Sequence, residues 1–317
     1  MTGTLPHVVA LGGGHGLYAS LTALRDVSET LTAVVTVGDD GGSSGRLREE
    51  MSVVPPGDLR MALSALCEDT AWGLTWRDVL QTRFDTSGPL DGHAVGNLLI
   101  AGLWQHTGDI VGGLDWVARL LRAKGRVLPL ALDPLEVVAQ VERDGELCEV
   151  RGQVAVATAV GRVTALRMEP VAPRVPPATL AAIAESDMIV LGPGSWYTSV
   201  MPHYLVGSVA AALDAASART VLVLNIAHED VETEGTERID DIRALRAAAG
   251  GSAPAIVVVD SSHAADDGLL DEIRDWGARP LVASMLADGT ADRHDPRALA
   301  GALSDAWGML GSDMARR

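Results

Sequence analysis

The sequence predicts an α/β protein with a Rossmann-like, doubly wound, mostly parallel sheet, interrupted near residues 136–169 by an antiparallel β excursion. Three observations carry this expectation. Short apolar runs alternate with longer stretches of helical period over most of the chain, the pattern of repeated βα units. The first apolar run ends in a glycine cluster, as strand-to-helix turns that approach an anion do. The excursion instead holds two strand-like runs around Asp144-Gly145, a pair suited to a tight hairpin turn.

Each element has a local reason. Residues 7–11 are apolar and β-branched and read as the first strand; residues 17–26 place apolar side chains at helical spacing. Residues 31–37 form the second strand. Helical patterns follow at 57–67, 72–84, 96–106 and 110–121, then a short strand at 127–130. Within the excursion, 137–142 and 147–150 make a hairpin, and 154–160 with 162–168 make a second β pair; the Pro-rich residues 170–177 close it. Alternation resumes with strands at 188–191, 221–225, 256–260 and 280–283 and helices at 203–217, 238–249, 269–276 and 296–309. The whole of 1–317 reads as one α/β domain carrying a β-hairpin insertion.

Composition narrows the function classes. Aromatics are only 3% of the chain, so the 47% apolar share must build a core of Ala, Val, Leu and Ile. Lys124 is the only lysine, which removes a P-loop. A net charge of −17 repels nucleic-acid backbones and anionic membranes. Cys67 and Cys148 are too few for a disulfide framework. No apolar run approaches the ~18 residues of a membrane span, and the N-terminus enters a strand directly. The chain therefore reads as cytoplasmic.

Residues 36–48, TVGDDGGSSGRLR, say more than any other stretch. An apolar strand runs into Asp39 and Asp40, then glycines, Ser43, Ser44, Arg46 and Arg48. Paired carboxylates hold sugar hydroxyls or a divalent ion, hydroxyls cap a helix or bind an anion, and arginines grip phosphate in a fork. The turn Gly13-Gly14-His15-Gly16 opens the first helix and offers backbone N–H groups to an anion. Leu17 stands where a dinucleotide fingerprint needs its last glycine, so NAD is not implied. A tight turn that needs small residues is the alternative reading. Asp58 and Arg60 open another helix, with Asp58 either an N-cap or a carboxylate facing a cleft. His93 and Asn97 lie at a further helix start, with His93 either a ligand-facing imidazole or a capping or core residue. Gly192, Pro193, Gly194, Ser195 and Thr198 follow a strand and read as a second anion nest; G-x-S-x-G is absent, which argues against a serine hydrolase. The acidic residues 225–236 read as a solvated loop or a lid. Mg²⁺ on Asp39, Asp40 or Asp58, bridging to a ligand phosphate, is the one metal the pattern suits.

These motifs together resemble the YvcK-type (GlmR) gluconeogenesis factors of the CofD-like superfamily. The glycine cluster, TVGDDGGSSGRLR, PPGDLR, GHAVGNLL and LGPGSWYTSVMPHYLV match in order over nearly the whole chain. The resemblance implies a Rossmann-like fold and a cytoplasmic regulator that binds UDP-N-acetylglucosamine. It implies control of peptidoglycan precursor supply and cell shape on gluconeogenic carbon, and glucosamine-6-phosphate synthase as a partner. It also assigns ligand contact to Arg293, from an Arg-His pair matched by Arg293-His294. The family's late-loop tyrosine is replaced by Thr236. The related phospholactate transferases share the Gly-Asp-Asp, so the second reading is a Mg²⁺-dependent phospho-group transferase with Asp39 and Asp40 catalytic. The expectation leans to a binding protein rather than an enzyme, with a homo-oligomer open.

Overall fold

The structure is a computed structural model that describes residues 5–227 and 238–314. The first half contains β1 (Leu5–Gly12), α1 (Gly14–Leu24), β2 (Ser28–Val35), α2 (Gly42–Met51), α3 (Gly57–Ala65), α4 (Ala71–Gln81), α5 (Val95–Thr107), α6 (Ile110–Leu121) and β3 (Arg126–Pro129). Next come β4 (Glu136–Arg143), β5 (Glu146–Arg151), α7 (Gln153–Ala157) and β6 (Arg162–Glu169). The second half contains α8 (Pro177–Glu185), β7 (Met188–Leu191), α9 (Pro202–Leu205), α10 (Gly207–Ala215) and β8 (Thr220–Val223). It ends with α11 (Arg238–Ala248), β9 (Ile256–Asp260), α12 (Asp267–Trp276), β10 (Arg279–Ala283) and α13 (Pro296–Met314).

Seven strands form one parallel sheet in the order β10-β9-β8-β7-β1-β2-β3. The expected α/β fold is the one found. Central strands read as unbroken apolar runs because helices cover both faces: Val8, Val9, Ala10 and Leu11 are all fully buried, as are Met188 to Leu191. The edge strand β10 has only partly buried and exposed positions.

The winding places the ligand edge. The chain leaves β1 toward β2 and β3, then returns to lay β7 on the other side of β1. Right-handed crossovers running in opposite directions put their helices on opposite faces. Accordingly α1 packs with α3 and α13, whereas α8 packs with α10. The β1–β7 boundary is thus the topological switch point, where loops diverge and leave a crevice at the carboxyl ends of the strands.

The excursion is a separate three-stranded antiparallel sheet, β5-β4-β6. Its Asp144-Gly145 turn has φ of +54° and +81°, the left-handed pair a two-residue hairpin requires. Residues 154–160 are not the expected strand. Gly152, at φ +94°, turns the chain out of β5, and α7 begins there. The Asp40 carboxylate accepts the Val154 N–H at 3.0 Å, so that amide serves a helix start instead of a ladder. β6 then pairs directly with β4. Among the described residues no helix is long and apolar enough to cross a membrane.

Candidate functional site

Four segments meet at Asp58. A Cβ added at Gly13 would lie 2.3 Å from Thr36 Oγ1, 2.8 Å from Asp58 Oδ2 and 3.2 Å from Ser199 Oγ. The loops after β1, β2 and β7 and the first turn of α3 therefore converge on one carboxyl group. Asp58 is not an N-cap: α3 starts at Gly57, and the Asp58 side chain turns back toward the sheet. Thr36 Oγ1 donates to Asp58 Oδ2 at 3.3 Å, and the Gly14 N–H also bonds the carboxylate. Burial pushes the Asp58 carboxyl up to about 7, helped by the negative charge of Asp39.

The two glycine loops share one rim. A Cβ at Gly16 would fall 2.1 Å from the Pro193 carbonyl oxygen and 2.7 Å from Gly194 Cα. Gly16 is required by this backbone-on-backbone approach, the tight-turn reading. The β7 loop is largely satisfied by its own surroundings. Asn225 accepts the Gly194 N–H at 2.8 Å and donates to the Gly194 carbonyl at 2.9 Å. Ser195 and Thr198 bond each other through their hydroxyls at 2.5 Å. The open N–H groups on this side belong to exposed His15 and to Gly16 in the first turn of α1, neither of which has an acceptor among the described residues.

Next to Asp58 lies a cleft of about 190 Å³, lined by Asp39, Gly41–Ser44, Gly57, Asp58, Arg60, Met61, Arg83 and Asn97. α2 opens at Gly42 with Gly41 as N-cap, so Ser43 and Ser44 sit inside the first turn instead of capping it. Asp39 Oδ1 accepts the Gly41 N–H at 3.0 Å. Gly57 has to be glycine here, because a Cβ would lie 2.4 Å from both Asp39 Oδ2 and Ser44 Oγ.

A buried polar network supports this wall. Ser43 Oγ accepts from the Ala94 N–H at 3.3 Å and from Asn97 Nδ2 at 3.0 Å, so its own hydrogen goes to His93 Nδ1 at 3.0 Å. His93 is therefore an acceptor at Nδ1, and burial, with the Arg46 charge, lowers its pKa. His93 is a buried residue that orients Ser43 and does not line the cleft. Asn97 Oδ1 in turn accepts from Arg60 Nε at 2.9 Å, and Arg60 Nη1 donates to Gln81 Oε1.

Several expected contacts lie elsewhere. Asp40 turns away from Asp39 to Gly152 and Val154, tying the small sheet to the cleft loop. Arg46 is spent on the carbonyls of Pro89 and Asp91, and Arg48 on that of Leu135, so neither grips a phosphate in this cleft. Arg293 is exposed beyond β10, next to His294, whose Nε2 is 3.3 Å from the Leu224 carbonyl. Arg293 does not line the Asp58 cleft. A second, more open hollow of about 450 Å³ borders Arg238, His263 and Asp266 on that side. Most of the proposed lid, with Thr236, lies outside the described residues. Arg83 lines the cleft yet belongs to no motif; only its spatial approach to Arg60 marks it.

Among the described residues no cluster of three or more His, Cys, Asp or Glu side chains could hold a metal ion. Asp39 and Asp58 alone suit Mg²⁺, which binds through one or two carboxylates plus ligand phosphates. Burial first, and the Asp39 charge second, raise the Asp58 pKa, and a cation between the two carboxylates would offset both.

A cleft at the switch point, holding a Gly-Asp-Asp loop and a buried carboxyl, lies where open α/β sheets take their ligands. Residues 8–287 match the family described as "2-phospho-L-lactate transferase CofD", and the chain belongs to that family, in its gluconeogenesis-factor group. A "Gluconeogenesis factor" from Halalkalibacterium halodurans is 33% identical over 311 residues, covering 98% of this chain and 92% of that protein. A Mycobacterium tuberculosis protein bearing the name "Putative gluconeogenesis factor" is 46% identical over 304 residues, covering 93% of this chain and 89% of its own length. The crystal structure of a UPF0052-family protein from Bacillus halodurans superposes with a TM-score of 0.85 at 30% identity, covering 95% of this chain and 98% of that one.

Proposed function

We propose that this protein is a cytoplasmic regulator that binds a UDP-sugar, UDP-N-acetylglucosamine, and adjusts carbon flow into peptidoglycan precursors and cell shape on gluconeogenic carbon. Glucosamine-6-phosphate synthase is its proposed protein partner. One observation carries the ligand class: the loops after β1, β2 and β7 meet at the switch point, where open amides of α1 and α2 flank a cleft holding Asp39, Asp58 and Arg60. Amides and arginine suit phosphate oxygens, and carboxylates suit sugar hydroxyls or Mg²⁺. Asp39 and Asp58 would hold the ion, which supplies charge neutralisation between phosphate and carboxylate. The names of the relatives support the metabolic role. Calorimetric titration with UDP-N-acetylglucosamine tests the reading; no heat and no thermal shift at millimolar ligand would end it.

A second reading is favoured by Asp58 itself. A carboxyl with pKa near neutrality beside a second carboxylate is poised to accept a proton from an attacking hydroxyl, as a Mg²⁺-dependent phospho-group transferase would need. The family's name supports it. Incubation with nucleoside diphosphate-linked donors and Mg²⁺ separates the two: released UMP or GMP marks an enzyme, and binding without turnover marks a sensor.

A further inference from the structure

The two arginines of the cleft stand out in a chain of net charge −17. Arg60 is 5% exposed, yet neither it nor Arg83 makes an ion pair among the described residues. Arg60 donates only to the neutral amides of Asn97 and Gln81, and Arg83 only to the Gly92 carbonyl. Arg60 Nη2 has no acceptor and is not sealed from solvent, so it opens on the cleft. Burial, then the charge of Arg83, lowers the Arg60 pKa to about 10. Two guanidinium groups thus face one space, and neither is held in a direct ion pair among the described residues. The first turn of α2 lines the same space, and its Gly42, Ser43 and Ser44 N–H groups have no protein acceptor among the described residues. Asp39 and Asp58 line the cleft as well, in contact with Gly57 and Gly13.

The geometry points to a phosphoryl subsite: Arg60 Nη2, Arg83 and the first-turn amides of α2 take the oxygens of a phosphoryl dianion, while Asp39 and Asp58 take its neighbouring hydroxyl or cation. Guanidinium groups and helix N-terminal amides are the donors that suit such oxygens. Volume sets the size of the guest. About 190 Å³ is room for on the order of six water-sized groups, enough for a phosphoryl group with a few attached atoms. A whole nucleotide sugar would have to leave its remainder outside the rim. The phosphoryl group has two sources, the diphosphate of a nucleotide sugar or a separate small phosphorylated metabolite. The assignment rests on the ligand class proposed above only for the first.

Arg83 is exposed and its side chain is tied only to the Gly92 carbonyl among the described residues, so Arg83→Gln should fold. Pyrophosphate, inorganic phosphate and UDP-N-acetylglucosamine are titrated calorimetrically into the full chain and into Arg83→Gln, with Arg60→Lys as a second variant. Loss of one charge-assisted contact is expected to weaken pyrophosphate or phosphate binding about tenfold or more. A parallel loss for UDP-N-acetylglucosamine assigns the subsite to the nucleotide diphosphate. Unchanged or absent UDP-N-acetylglucosamine binding, with phosphate still weakened, assigns it to a separate phosphorylated metabolite and leaves the subsite standing without the regulator reading. The proposal is overturned if neither phosphate nor pyrophosphate binds the unsubstituted chain at millimolar concentration. It is equally overturned if both bind Arg83→Gln and Arg60→Lys as tightly as the unsubstituted chain.

Discussion

Asp58→Asn should change how stability depends on pH. The substitution keeps one oxygen to accept from Thr36 Oγ1 but removes the titration. In the folded chain the carboxyl is raised from 3.8 to about 7. The folded state therefore holds its proton more tightly than the unfolded state does. The resulting stabilisation is complete below the unfolded pKa and is lost as pH rises through about 7. A rise of about 3 units corresponds to about 4 kcal/mol in all, and roughly 2.7 kcal/mol of it falls between about pH 5 and about pH 7. Urea unfolding of both proteins at several pH values measures the difference directly. The stability of the unsubstituted chain relative to Asp58→Asn should fall by about 1.4 kcal/mol per pH unit across that window and level off above it. Asp241, also raised to about 7 by burial, is common to both proteins and cancels. A difference that stays constant within about 0.5 kcal/mol from about pH 5 to about pH 8 would refute the reasoning.

Four further outcomes follow from the same geometry. Gly16→Ala should cost about 3 kcal/mol or abolish folding, because its methyl would meet backbone at Pro193 and Gly194, whereas Gly102→Ala, in open space within α5, should gain about 0.5–1 kcal/mol; thermal unfolding compares them. Asp40→Ala should speed hydrogen exchange at the Val154 amide while leaving the Asp39–Asp58 cleft able to bind, since Asp40 serves the small sheet. Asn225→Leu removes both bonds to Gly194 and should destabilise the chain by about 1–3 kcal/mol in urea unfolding. Mg²⁺ added at about pH 8 should raise the melting temperature of the unsubstituted chain and not that of Asp58→Asn, because only the former keeps two carboxylates for the ion.

The strands were readable because a parallel sheet covered on both faces demands unbroken apolar runs, and β1, β7 and β9 supply them. The Asp144-Gly145 turn was readable because few residues adopt its backbone. Residues 154–160 misled because Val154 and Val156 fit a strand or a helix; the bond from the Val154 N–H to Asp40 decides, and it spans a distance in sequence that periodicity does not see. The same limit governs the site. Asp39, Asp58 and Arg60 lie in motifs and were found together, but Arg83 has no motif and gains its meaning from where α4 ends. Arg46 shows the converse: its place in a phosphate-like motif suggested a grip, and the carbonyls of Pro89 and Asp91 claim it first. Asp58 missed its cap role by two positions, because Pro-Pro-Gly-Asp leaves the helix start ambiguous by a residue or two, and Pro56 takes the cap position.

The place of β1 also matters while the chain is being made. Its partner on one side, β2, emerges from the ribosome almost at once, but Val8 meets Met188 only after most of the polypeptide exists. At ~5–20 residues per second that wait is on the order of ten to forty seconds. Throughout it, the aliphatic runs at residues 8–11 and 33–35 of the nascent sheet present a raw hydrogen-bonding border to the cell. Translation that stalls in the interval leaves an aggregation-prone fragment, so the second half of the polypeptide acts as the cover for the first.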